Sequence, residues 1–392
     1  MIVIGGSYSE GCMRPADRRL RGSGLRAAIA LRRVVPDVLL QTSVSESETL
    51  EFDAVTGAFG IKTNVVPRDS AVTFNYFTPL SPPAIDGMDA RLLGPISAAD
   101  DIVLRFGMLE RDQQVDVSCA TLVLDPQGET RALPIGEPRH ERLAIVANER
   151  EIRRLGDSVN TTRAAGVLLE TTGADAIVVK SGARGARVLT SHGEVLVGPR
   201  PTRRVNPIGS GDLFSASFAW AFGVKGADPV EAARVASAYT SQVVSSLHEP
   251  ALADEPAAAL GEFREAPKVY LASPFFGLAQ EWLVDLVQHA LVELGAEPFS
   301  PLHDVGRGGP EVAQKDLDGI DRSAAVLALV DGLDVGTIFE IGYAVRCGKP
   351  VVAYLDPQRS EDLTMLVGSG VEITDDLSSA VYRSIWRAMG SS

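Results

Sequence analysis

The sequence predicts an α/β fold in two domains, each a largely parallel sheet with helices on its faces, and three observations point there. Short continuous apolar runs, among them Ile102 to Phe106, Leu143 to Ala147, Ala176 to Lys180 and Ala325 to Val330, alternate with helical patterns. That alternation is how buried parallel strands and their crossover helices read. Glycine turns close the first and last of these runs, Gly5-Gly6 after Met1 to Ile4 and Gly332 after Val330. At 392 residues the chain exceeds what one core usually serves, and its strand rhythm lapses between His248 and Pro267, where Ala, Pro and Glu dominate. Residues 1–250 and 267–392 are therefore expected to be separate domains, with 251–266 as linker.

Composition narrows the function classes. With 45% hydrophobic and 22% charged residues this is an ordinary globular protein. A net charge of −14 without a basic block argues against nucleic acid or an anionic membrane as partner. Cys12, Cys119 and Cys347 are widely spaced and odd in number, which suggests reduced thiols in a cytoplasmic protein and offers no metal-ligand spacing. No apolar run approaches the ~20 residues that cross a bilayer, and Met1 to Ile4 is too short for a signal core.

Taken in order, Met1 to Ile4 reads as the first strand, and Gly22-Ser23-Gly24 precedes a helix from Leu25 to Val35. Ala71 to Phe77 alternates as a half-exposed strand does, either in a lid over a pocket or in an edge hairpin of the core sheet. Helical patterns cover Glu149 to Leu155 and Thr161 to Thr172. Asn148 followed by Glu151 is, structurally, an N-cap with a glutamate three residues on. Asn206-Pro207-Ile208-Gly209-Ser210-Gly211-Asp212 opens a long apolar helix, Leu213 to Phe222. Glycines there admit a ligand close to the backbone, and the free amides of a first helical turn suit a phosphate. Asp212, kept ionised by the helix dipole, could take a proton from a hydroxyl. A plain tight turn with an Asp cap is the alternative reading.

These stretches resemble the PfkB, or ribokinase-like, family of sugar and nucleoside kinases. Gly209 to Phe214 is similar to that family's G-A-G-D-x-F signature, Asn148 to Glu151 to its N-x-x-E motif, and Val178 to Ala186 to its strand-and-glycine segment. The resemblance spans about Met1 to Leu247 and implies a ribokinase-like N-terminal domain using ATP and Mg²⁺. It implies that Asp212 is the base activating the acceptor hydroxyl, and that the amides of Gly209, Ser210 and Gly211 hold the transferring phosphoryl group. Asn148 and Glu151 would organise the magnesium and phosphates. Two departures stand out: Ser9-Glu10-Gly11 replaces the family's N-x-D, and Arg26 replaces a substrate-binding asparagine. They imply an acceptor bearing a negative group that Arg26 meets, or a domain that binds without turning over.

Beyond the linker, Lys268 to Ser273 starts a new sheet and Leu278 to Leu294 is a core-facing helix. Ser300 to Gly309 is a Pro- and Gly-bounded loop carrying His303, Asp304 and Arg307, which either closes over substrate or is a solvated connection. The strand Ala325 to Val330, a polar turn with Asp331 and Asp334, a helix with Glu340, and the strand Pro350 to Tyr354 form a βαβ unit. Ligands sit beyond the carboxyl ends of such strands, which is where these acids fall. Glu340 lies among Ile338, Phe339, Ile341 and Val345, and burying a carboxylate is costly unless something uses or pairs it. Alternatively Thr337 and Glu340 form a capping box. Ser378 to Met389 reads as a closing helix.

Three separated motifs between about Lys268 and Pro357 resemble the nucleoside 2-deoxyribosyltransferase family: Val269 to Phe276, Lys315 to Ile320, and Asp334-x-Gly336 running on to Glu340 and Ala344. The resemblance implies a flavodoxin-like or Rossmann-like parallel domain in which Glu340 attacks the anomeric carbon, with Asp334, Asp316 and Tyr270 at the family's other catalytic positions. Phe275 and Gly336, inside the matched motifs, and His303 and Asp304, in the adjoining loop, are expected at the substrate. No cofactor is expected for this domain, and a homo-oligomer is implied. The combined expectation is a bifunctional enzyme: an ATP-dependent kinase half, and a half that cleaves or exchanges the N-glycosidic bond of a nucleoside or nucleotide. The alternative is a non-catalytic, ligand-sensing or oligomerising kinase-like half regulating an N-glycosidase.

Overall fold

The structure is a computed structural model that describes residues 1–128, 133, 140–245, 258–261, 265–355 and 363–390. Most of the expected linker, and the end of the kinase-like resemblance near Leu247, lie outside the described residues. Within them, the architecture is α/β around two separate sheets.

The larger sheet has nine strands among the described residues, in the order 193–197, 186–190, 176–180, 142–148, 121–125, 102–106, 2–4, 39–45, 62–68. Seven of them run parallel, and the hairpin of Ala186–Thr190 and Gly193–Val197 closes one edge antiparallel. Strands such as Ala176–Lys180 are buried on both faces, which is why they read as unbroken apolar runs. The first helix begins earlier than its apolar pattern, at Gly22, and ends at Leu31. A Cβ on Gly24 would stand 2.5 Å from the carbonyl oxygen of Gly5, so glycine is what lets this helix lie directly on the turn after the first strand.

The alternating segment forms Thr73–Tyr76 and pairs with Ser9–Cys12 in a separate four-stranded sheet with Asp17–Leu20 and Ala84–Asp86. It is thus a lid and not an edge hairpin of the core sheet. A buried polar network anchors the base of this lid. Arg68, with its side chain fully out of solvent, donates to Glu110 at 3.2 Å and to the Ser43 carbonyl at 2.9 Å, and pairs with Glu48. Its guanidinium lies 5.1 Å from the centre of the Tyr8 ring, whose hydroxyl donates to Glu110 at 2.8 Å.

The smaller sheet is wholly parallel, in the order 297–299, 268–272, 325–329, 351–354, 372–374. This is the flavodoxin-like order 2-1-3-4-5, whose switch point lies between the strands Lys268–Ala272 and Ala325–Leu329. Helices Leu278–Glu293 and Leu377–Ala388 cover one face, and Pro310–Arg322 and Val335–Arg346 the other. The core under the last helix also takes in Ala183 and Val205 from the larger sheet's side. The two halves therefore share a buried contact, reinforced by an edge-on pair of the lid's Phe77 with Trp282 at 5.2 Å.

Candidate active sites

At the switch point, the strand Lys268–Ala272 carries Tyr270 with its ring fully buried and stacked on Phe299 at 5.6 Å. Its hydroxyl donates to Oε1 of Glu340 at 2.6 Å. Glu340 reaches that point because its helix starts at Asp334, whose carboxylate accepts from the Thr337 amide at 2.8 Å and from the Thr337 hydroxyl at 3.1 Å. The N-cap is therefore Asp334, not Thr337. The capping-box reading fails, since Glu340 stands six residues past the cap where no free amide needs it.

The electrostatics are unusual for a glutamate. Burial pushes the Glu340 carboxyl up, the Tyr270 hydroxyl pulls it back, and Asp316 and Asp334 push it up again, to about 7. Burial and the Glu340 carboxylate hold the Tyr270 phenol far above its ordinary range, so it stays a donor. Asp316, on the helix Pro310–Arg322, is also raised by burial, and its Oδ1 is buried without a hydrogen-bond partner. An orphaned acid oxygen beside a half-neutral glutamate is an arrangement that hydroxyl or amine groups of a ligand would complete.

Other expected residues are placed differently. Gly336 lies in the first turn of the Glu340 helix beside Asp334. Phe275 stacks on Phe276, and its carbonyl accepts from Arg307 at 3.0 Å. His303 and Asp304 contact neither Tyr270 nor Glu340 in any hydrogen bond or ion pair among the described residues. Asp304 accepts from the Ser300 amide at 2.7 Å, and His303 bonds Ser300 and lies 3.5 Å from Asp285 on the helix of the opposite face. A turn of helix at Pro301–Val305 aims them there.

In the larger half, Gly209 adopts φ 74° and the helix Ser210–Ala219 follows at once. A Cβ at Gly209 would stand about 2.1 Å from the Arg26 guanidinium, so only glycine fits the turn. Asp212 is buried and fully engaged: Arg26 donates to Oδ2 at 2.6 Å and Gln127 to Oδ1 at 2.7 Å. Arg26 also pairs with Glu10. Burial opposes the charge on Arg26, but Glu10 and Asp212 outweigh it and raise its pKa. Asn148 and Glu151 cap the helix Glu149–Leu155 reciprocally, each side chain bonding the other's backbone amide, at 2.8 and 2.9 Å.

Residues 269–375 match the nucleoside 2-deoxyribosyltransferase family model, and residues 111–249 match that of the pfkB family carbohydrate kinases. The chain thus joins a segment that matches PfkB-type kinases to one that matches nucleoside 2-deoxyribosyltransferases. A search of curated proteins returns no match. Solved structures similar to it include a mutant of phosphofructokinase-2 from Escherichia coli, at 15% identity and TM-score 0.49, covering 63% of this chain and 93% of that one. Adenosine kinase from Sinorhizobium meliloti is 14% identical at TM-score 0.48, covering 64% and 95%. Ribokinase from Thermotoga maritima is 17% identical at 0.46, covering 63% and 93%.

Glu10 and Arg26 lie outside the stretch matched to the PfkB model, and Asp212 lies inside it. Asp125, Gln127, Lys180 and Ser215 of the PfkB-type site were not among the expected site residues. Lys180 donates to Asp125 at 2.6 Å and lies 3.4 Å from where a Cβ on Gly211 would be. Ser215 joins the same carboxylate at 2.7 Å. Burial raises Asp125 above the usual carboxylate range, Lys180 pulls it back and Glu151 adds to the rise. The signal was there: Lys180 and Asp125 each end an apolar strand at its carboxyl end. Gln127 sits at the strained φ of 41° and is aimed at Asp212.

The glycine turn and Lys180 suit a phosphate chain. The compartment on one side of the turn measures about 90 Å³ and is walled by Tyr382 and Trp386. Among the described residues no group of three or more His, Cys, Asp or Glu is placed to hold a metal ion, and Asn148 and Glu151 are bonded to each other's backbone.

Proposed function

We propose that the C-terminal half cleaves or exchanges the N-glycosidic bond of a nucleoside or nucleoside 5′-phosphate, with Glu340 as nucleophile. The observation that carries this is the 2.6 Å bond from Tyr270 to Glu340, flanked by Asp316 and Asp334, inside the segment matching nucleoside 2-deoxyribosyltransferases. A carboxylate oxygen of Glu340 bonds to C1 of the sugar as the C1–N bond breaks. The electron pair leaves with the base nitrogen, which takes a proton from Asp316. Water or a second base then attacks C1, the ester to Glu340 breaks, and the proton returns to Asp316. Two displacements retain configuration. Tyr270 positions the nucleophile, and Asp334 fixes the start of its helix. Neighbouring copies of the chain complete the pocket in this reading.

The test is to incubate the protein with deoxynucleosides and their 5′-phosphates and chromatograph the free base, with and without a second base as acceptor. No release from any of them, or release that survives Glu340→Ala, removes the assignment. Tyr270→Phe deletes the bond that favours the ionised glutamate. The acid limb of the pH–rate profile, centred near 7, is expected to move up by about one unit, with kcat down roughly 10–100-fold. An unmoved limb would deny Tyr270 that role.

For the N-terminal half, the Arg26–Asp212 ion pair favours the second reading, a PfkB-type domain that binds ligand without turning over. Asp212 already accepts two hydrogen bonds, one of them from a cation, so both of its oxygens are taken by protein donors where an acceptor hydroxyl would have to approach. With magnesium, ATP and a panel of nucleosides and sugars, release of ADP is expected to match that of Asp212→Asn. A steady release that depends on Asp212 would restore phosphoryl transfer.

A further inference from the structure

The halves meet on one side of the glycine turn. The cavity on the Arg26 side, about 120 Å³ and bounded by Glu10, Arg26, Tyr76 and Asn206 under the lid, is where an acceptor would approach Asp212. In-line transfer puts the donor opposite the acceptor, across Gly209 to Gly211. There lies the compartment of about 90 Å³, bounded by Gly182, Ser210 and Thr240 on the PfkB side and by Tyr382 and Trp386 from the last helix of the other half. Sites that enclose nucleotide-sized ligands run to roughly 300–1,000 Å³.

This contact is a built core. Trp386 is 5% exposed and donates its indole N–H to the Ala183 carbonyl at 2.9 Å. Tyr382 meets Trp386 edge-on at 5.8 Å, and the Val205 amide donates to Ser379 of the same helix at 2.9 Å. Ala183 and Val205 belong to the apolar cluster of the C-terminal half. In the compartment's wall, Thr240 Oγ1 is buried without a hydrogen-bond partner. The phosphate end consists of the amides of Gly209 and Gly211 and the Lys180 ammonium.

We propose that Tyr382 and Trp386 set the class of phosphate ligand that the N-terminal half binds, admitting a linear inorganic phosphoanhydride at the glycine turn and excluding a nucleoside attached to it. The proposal rests on reading Gly209 to Gly211 as a phosphate cradle. Calorimetry on the full chain would compare ATP with inorganic tripolyphosphate, for the wild type, Trp386→Ala and Trp386→His. The histidine variant keeps a ring N–H for Ala183 in a smaller side chain, and remains informative if the alanine variant does not fold. Tripolyphosphate is expected to bind all folded forms alike, and ATP to bind the variants at least about 10-fold more tightly than the wild type. ATP binding the wild type as tightly as the variants, with tripolyphosphate bound too, overturns the exclusion and leaves the cradle standing. Failure of tripolyphosphate to bind any form overturns the cradle and the proposal with it.

Discussion

Replacing Glu340 with glutamine is expected to abolish base release, by at least about 10³-fold in kcat, while making the protein more stable at pH 8. The two effects share one cause. A free glutamate titrates near 4.5, and in the fold burial and two neighbouring acids lift Glu340 to about 7. Where the folded state holds its proton more tightly than the unfolded chain does, stability falls as pH rises. The favourable term is fully present below 4.5 and is lost as pH climbs through 7. Above that, an ionised Glu340 costs the native state about 1–3 kcal/mol, which glutamine, neutral at every pH, does not. Thermal melts at pH 5 and pH 8 should show the variant's advantage only at the higher value. Equal melts at both would mean that the carboxyl titrates normally and carries no stored penalty.

Arg68→Ala is expected to be the most damaging single change to the N-terminal half. Its guanidinium sits between Glu48 and Glu110, over Tyr8, with none of its surface exposed. Deleting it leaves two buried carboxylates without a counter-charge, a change that costs about 3–5 kcal/mol. For a domain of this size that lowers the melting temperature by roughly 10 °C. Arg68→Lys keeps the charge but not the fork that serves Ser43, Glu48 and Glu110 together, and should fall between. A melt of Arg68→Ala within a degree or two of the wild type would show that water reaches and rescues the acids. Because Ser9–Cys12 and Thr73–Tyr76 flank this network, the lid should loosen first, measured as faster amide exchange there.

Much of the α/β architecture was readable from the chain itself. Ala176–Lys180, Glu149–Leu155 and Thr161–Thr172 fall where the pattern of apolar residues and caps puts them. Tyr270 and Glu340, 70 positions apart, are joined by a hydrogen bond. Local rules misjudged starts: Gly22 begins a helix that the apolar pattern places at Leu25, because close packing on Gly5 outweighs glycine's poor propensity. They also misassigned a cap, since Asp334 and Thr337 are both competent and only the backbone decides between them. His303 and Asp304 were expected at the substrate because they neighbour the pocket in sequence, yet the turn at Pro301–Val305 turns His303 toward Asp285 and Asp304 back onto the Ser300 amide.

Strand rhythm, helix caps and the chemistry of each short motif are set by neighbours a few residues away, so the chain alone was enough to state them. Which group answers Asp212 was not, for Arg26 lies 186 positions earlier. Nor was the indole that closes the donor compartment, 203 positions from the carbonyl it bonds. Pairings of that kind have no periodicity to betray them. They arise only when folding brings distant elements face to face, within one half for Arg26 and Asp212 and between the halves for Trp386 and Ala183.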